Sequence, residues 1–165
     1  MLALANMIVL EPELSRVYFK CTVCDEKQTI LFDTGSPNTV ITLKLAKILG
    51  LKSVSSKKVK IHLAGRMVDV VPVTLPELTM GSLKLTNVRA YAGLDSKWGN
   101  TVLLGLNVLN HLVHTVSRSS KSGFINLELN PDIDYSAEEV FNRLISNDGK
   151  YYMSGGDEKE LEVII

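Results

Sequence analysis

The residues best placed to do chemistry are Asp33-Thr34-Gly35-Ser36, which follow the apolar run Ile30-Leu31-Phe32 and precede Pro37-Asn38-Thr39-Val40-Ile41. A carboxylate set where an apolar strand gives way to a tight, glycine-containing turn is costly, because desolvation opposes its charge, unless something uses it. Its chemistry would be acid–base: an ionised carboxylate takes a proton from water, and a protonated one stabilises a developing oxyanion. One carboxyl group cannot do both at once, and no second copy of the segment occurs in the 165 residues. An Asp-Thr-Gly tripeptide arises by chance on the order of a few per cent of the time in a chain this size. The surroundings must therefore carry the reading.

Other candidates are thinner. Cys21 and Cys24 form one C-x-x-C, but a structural zinc site needs four ligands and no second pair exists. They read as strand cysteines without special chemistry, which fits a reducing cytoplasm. His111 and His114 sit at helix spacing, yet no nearby acid or cysteine completes a metal site. Asp95, Asp132 and Asp134 lie among turn residues, where capping explains them. Neither a metal nor any other cofactor is expected.

The elements that must position Asp33 are short and often interrupted, the pattern of a mainly β protein. Val17, Phe19, Cys21 and Val23 alternate with Arg16, Tyr18, Lys20 and Thr22, which predicts a half-buried strand, and Ile30-Leu31-Phe32 predicts a second. Thr42 is placed to cap a helix through Leu49 that Gly50 stops. Lys57 to Val73 reads as a hairpin turning at Ala64-Gly65-Arg66. Strands around Leu75 to Met80, Leu83 to Leu85 and Val88 to Tyr91, broken at Gly81-Ser82 and Thr86-Asn87, suggest a meander. Val102-Leu103-Leu104 is apolar enough to be buried on both faces. Gly105 and a short helix through Leu112 follow, then a strand from Phe124 to Leu129.

Beyond Pro131 the composition shifts. Ser136 and Glu139 make a capping box for a helix bearing Val140, Phe141, Leu144 and Ile145, with Gly149 to end it. Residues 1–130 are thus expected to form the main domain, and 131–165 a C-terminal helix and tail packed on it.

Apolar strand, Asp33-Thr34-Gly35-Ser36, apolar segment: this order resembles the active-site loop of the aspartic proteases. Leu103-Leu104-Gly105 resembles their downstream hydrophobic-hydrophobic-glycine element, and the hairpin between them lies in the flap position. With Gly81-Ser82-Leu83, Asn87-Val88 and Leu104 to Leu109, the resemblance runs from about Val17 to Leu129 and is to the single-lobed, retropepsin-like branch. It implies a closed β-barrel acid-protease fold with a flap hairpin, short helices and the C-terminal helix, and a homodimer in which Asp33 meets its symmetry mate. It also implies supporting roles for Thr34, Gly35 and Ser36, Ser36 as an added donor toward the carboxylate. His62, Leu63, Ala64, Gly65, Arg66 and Met67 become a substrate-binding flap, with His62, Leu63 and Met67 as pocket residues. Arg66 departs from the small, glycine-rich flaps of viral members.

The implied activity is an endopeptidase acting on extended peptide segments; the alternative is a non-catalytic dimeric peptide-binding or assembly module on the same fold. Eighteen basic residues balance eighteen acidic ones, so no overall field draws the chain to nucleic acid or an anionic membrane. Lys57-Lys58 with Lys60 is too short a cluster to argue otherwise. The start lacks the charged leader of a signal peptide, and no apolar run reaches the roughly 20 residues of a membrane span. A soluble, cytoplasmic protein is expected. Ile8 to Leu10 and Val163 to Ile165 are candidates for strand pairing between protomers.

Overall fold

A computed structural model describes residues 6–12, 16–53, 58–63, 65–119, 122–130 and 163–164. The first long hairpin pairs β2 (Tyr18–Val23) with β3 (Glu26–Phe32), and it turns at Cys24-Asp25, both with positive φ. Cys24 is therefore a turn residue, not a strand residue as expected. Cys21 is buried in β2, and that burial pushes its thiol pKa up to about 12, which leaves it inert at neutral pH.

After the Asp33 loop comes the short strand β4 (Val40–Thr42), then helix α1 (Leu43–Leu49). The Thr42 hydroxyl accepts from the Leu45 N–H at 3.0 Å, a cap contributing about 1 kcal/mol. Gly50 ends the helix in the left-handed region, as its sequence position predicts. A two-residue strand β5 (Lys52–Ser53) leads to the hairpin of β6 (Val59–Leu63) and β7 (Arg66–Met80), with Gly65 at φ 81° in the tip.

Instead of a meander with two breaks, β7 and β8 (Leu83–Leu94) form one long antiparallel pair joined at Gly81-Ser82. Thr86-Asn87 does not turn the chain. Thr86 pairs with Glu77 and Val88 with Leu75, so the register is the same on both sides of Asn87 despite its positive φ. Pro76 opposite lacks an N–H, and the two irregular residues are absorbed at one place within a strand pair that is buried on its inner face.

A 3-10 turn at Ser96–Trp98 is capped by Asp95, whose carboxylate accepts from the Lys97 N–H. Then come β9 (Thr101–Leu104), helix α2 (Leu106–Leu109), β10 (Leu112–Arg118) and β11 (Gly123–Leu129). The helix is shorter than expected, because Leu112 already begins β10. His111 and His114 therefore do not share a helix.

The chain closes a barrel through the path β7, β2, β3, β9, β4, β8 and back to β7. Phe19, Ile30, Leu75, Leu78, Met80, Leu85, Val102 and Leu104 fill its main core. A smaller cluster of Val40, Ile61, Leu63, Val70, Leu94 and Leu103 lies under the β6–β7 hairpin.

The strand β1 (Met7–Val9) pairs with β11 of its own chain, and β12 (Val163–Ile164) with β5. The C-terminal helix expected at 136–149 falls outside the described residues. Among the described residues, no helix is long and apolar enough to cross a membrane.

Candidate active site

Asp33 stands where β3 leaves the barrel. Its position follows from crossing strands: β3 runs parallel to β9, from Thr29 opposite Thr101 to Phe32 opposite Leu104, while Val40 of β4 pairs with Leu103 from the other side. The 33–39 loop is threaded between these pairings and fastened to the start of α2. Asp33 donates its N–H to the Leu104 carbonyl at 3.0 Å. Leu106 and Asn107 donate theirs to the carbonyls of Ser36 and Pro37 at 2.8 and 3.1 Å.

A buried polar chain locks the same joint. The Thr39 hydroxyl donates to Asn107 Oδ1 at 2.7 Å and accepts from the Gly105 N–H at 3.1 Å, while Asn107 Nδ2 donates to the Arg89 carbonyl at 2.9 Å. Thr39 and Asn107 are both buried, so each bond is made where an unmade one would be expensive. Gly105 is needed for close approach: a Cβ there would lie 2.1 Å from the Asn38 carbonyl oxygen. Neither Thr39 nor Asn107 was singled out in the sequence, although Asn107 stands within the Leu104-to-Leu109 segment.

The carboxylate itself is half-buried. Gly35 donates its N–H to Asp33 Oδ1 at 2.9 Å, which fixes the carboxylate against its own loop. The Ser36 hydroxyl donates to the Asn38 carbonyl at 2.8 Å, so its proton ties the loop to itself rather than reaching Asp33 as expected. Thr34 and Gly35 are exposed at the loop tip.

A cleft of about 480 Å³ opens at Asp33, lined also by Arg16, Val17, Phe32, Thr34, Leu63, Trp98 and Leu103. Asp33 is its only acid among the described residues. A second cavity of about 520 Å³ adjoins it, sharing Leu63 and Trp98 and adding Arg66, Val68, Asp95 and Lys97. Together they make a groove under one side of the hairpin.

Strand alternation sorts the flap candidates. Leu63 and Arg66 pair across the hairpin tip and line the groove, Leu63 being buried. His62 and Met67 form the next pair, lie on the opposite face and are exposed, so neither lines the groove. Gly65 is at the tip, and Ala64 is outside the described residues.

Trp98 was not anticipated, because a lone aromatic among turn residues carries no periodic signal; tertiary packing brings it against Leu63 and Leu103. The His114 ring meets the edge of Phe32 at a centroid distance of 4.7 Å, which sets β10 beside the Asp33 loop. Among the described residues, no three His, Cys, Asp or Glu side chains gather to hold a metal ion.

A family profile described as aspartyl protease matches residues 19–108, from β2 into α2. The crystal structure of a retropepsin-like aspartic protease from Rickettsia conorii is similar with a TM-score of 0.52 and 19% identity, over 76% of this chain and 96% of that one. The retroviral protease-like domain of Ddi1 from Leishmania major is similar over 74% of this chain and 99% of that one, at 14% identity and a TM-score of 0.45. No curated protein matches the chain. The matched segment spans the Asp33 loop, the hairpin, and the strand and helix that fasten them, and on it the chain belongs to the aspartyl protease family, with a retropepsin-like fold.

Proposed function

We propose that this chain is an aspartic endopeptidase whose working site needs two copies of Asp33, one from each protomer of a homodimer. The observation that carries this reading is the lone carboxylate at the head of a peptide-sized groove, anchored by the Gly35 N–H. Two carboxylates sharing one site cannot both ionise cheaply, so the pair keeps a proton. The ionised member takes a proton from a water held between them as that water attacks the peptide carbonyl. The protonated member stabilises the oxyanion.

Two surface features support the pairing. Thr34 is exposed beside Asp33, available to reach across a two-fold axis. Among the described residues, strand β10 is an edge strand of the β1-β11-β10 sheet, exposed on both faces from Val113 to Arg118, and it lies next to the loop through the Phe32–His114 contact. A strand edge exposed on both faces is a surface for strand addition, and a second copy pairing there would bring the two loops together. The free thiols of Cys21 and Cys24 suit a reducing, cytoplasmic setting.

The test is cleavage of an unstructured protein by wild type and by Asp33→Asn, with specific activity followed across a dilution series and sedimentation on the same samples. Asp33→Asn keeps the shape of the side chain but not its base. Activity is expected to vanish in the variant while its melting temperature holds. Wild-type specific activity is expected to fall as the dimer dissociates; full activity in wholly monomeric samples refutes the shared site.

A further inference from the structure

The groove is not electrically even. At the Asp33 end, Arg16 is exposed on the rim, and in the adjoining cavity Arg66 of the hairpin and Lys97 of the 3-10 turn are exposed on either side. No carboxylate among the described residues forms an ion pair with Arg16, Arg66 or Lys97, whereas Lys20, Lys60 and Lys84 each have one. The one acid in the second cavity, Asp95, has a carboxylate oxygen engaged in capping the turn, through the Lys97 N–H at 3.0 Å. Between the charged ends, the wall common to both cavities is apolar, made by Leu63 and Trp98 with Leu103 and Phe32 toward Asp33.

We infer that the groove selects peptides carrying an apolar residue next to the cleaved bond and an acidic side chain farther along, toward Arg66 and Lys97. The inference rests on the reading of Asp33 as the head of a peptide groove and adds the sequence that the groove accepts. An extended peptide advances about 3.3 Å per residue and sends alternate side chains to one side. An apolar side chain beside the scissile bond meets Leu63, Trp98 and Leu103. A carboxylate on the same face two or four residues on comes to the Arg66 and Lys97 cavity. A lysine there meets two like charges, so the discrimination works by repulsion as well as attraction. Exposed pairs are individually weak, so each cation is expected to change affinity by about two- to fivefold.

Trp98 is the chain's single tryptophan and stands at the junction of the two cavities, so its fluorescence reports occupancy without any need for cleavage. The full chain carrying Asp33→Asn would be titrated with synthetic ten-residue peptides having a central Leu-Phe pair and Glu, Gln or Lys at the second or fourth position beyond it. Affinity is expected in the order Glu, Gln, Lys, with about tenfold between the ends. In the same background, Arg66→Glu with Lys97→Glu is expected to reverse that order; both residues are exposed, so melting temperature checks that folding is intact. Equal affinity for the Glu and Lys peptides, an order unchanged by the charge reversal, or no Trp98 response to any peptide overturns the inference. Cleavage of the same peptides by wild type separates the two proposals. Charge-selective binding without cleavage removes the endopeptidase reading and leaves the groove's selectivity; cleavage without charge preference does the reverse.

Discussion

The loop that carries Asp33 and the hairpin that shares its cleft are held by opposite means. The loop is tied from several directions: backbone bonds to Leu104, Leu106 and Asn107, and a buried side-chain chain from Gly105 through Thr39 and Asn107 to Arg89. The hairpin's β6 pairs only with β7 among the described residues, its inward residues sit in the smaller apolar cluster, and its ion pair, Lys60 with Asp69, is exposed. A reacting group loses its advantage when displaced by about an ångström, whereas a cover must open and close for peptide to enter. On the proposed reading, rigidity is concentrated where the chemistry would need it, and the more weakly held segment is the one that would have to move.

The strongest way to break this contrast is Asn107→Ala. It removes the acceptor of the buried Thr39 hydroxyl and the Asn107 donor to the Arg89 carbonyl, at a cost of about 2–4 kcal/mol together. Urea unfolding should show that loss, and cleavage should fall with it. His62→Ala on the exposed face of the hairpin is expected to stay within about 0.5 kcal/mol. If the two variants lose similar stability, the loop is not the rigid partner.

Gly105→Ala sharpens the comparison by moving the loop without emptying its hydrogen bonds. The added methyl meets the Asn38 carbonyl at 2.1 Å, so the Asp33 loop must shift, at a stability cost of about 1–3 kcal/mol. Activity should suffer more than stability, by about 100-fold in kcat, because displacement of the carboxylate spoils its geometry for reaction. Single-turnover cleavage alongside thermal melting measures both. Unchanged kcat would mean the loop tolerates movement.

What the sequence disclosed divides along the same line. The Asp33 loop, the α1 cap at Thr42, its stop at Gly50 and the Gly65 tip were legible because each follows from a local rule about backbone or capping. Strand β10 was not: Leu112 follows a helix start, and its exposed residues lack the alternation that marks a half-buried strand. Thr86-Asn87 read as a break, yet long-range pairing of β7 with β8 carries the strand through it. Ser36 read as a donor to the carboxylate, and only the fold of the loop shows that Asn38 takes its proton. The sorting of Leu63 and Arg66 from His62 and Met67 needed the register, which the hairpin's sequence leaves free by one residue. Trp98 depended on three segments meeting in space.

The smallest effect is expected at the hairpin's ion pair, and it probes whether that segment is as loosely held as its contacts suggest. Lys60 Nζ lies 2.8 Å from Asp69 Oδ1, and the hydrogen bond and charge of Lys60 lower the Asp69 pKa. A carboxylate whose folded pKa is depressed adds stability above its unfolded pKa, and that contribution is lost as pH falls through the folded value. The sign is therefore clear: acid should weaken the hairpin. The size is set by exposure, since both side chains are more than half exposed, and solvent screens the pair. Wild type and Asp69→Asn are expected to give superimposable melting temperatures at neutral pH, and to lose stability in parallel as pH drops through the carboxylate range. A gap between the two curves that is open at pH 7 and closes in acid would show the pair holding the hairpin down. The flap would then be a latched element rather than a loose one, and a latch that acid releases would make peptide entry itself depend on pH.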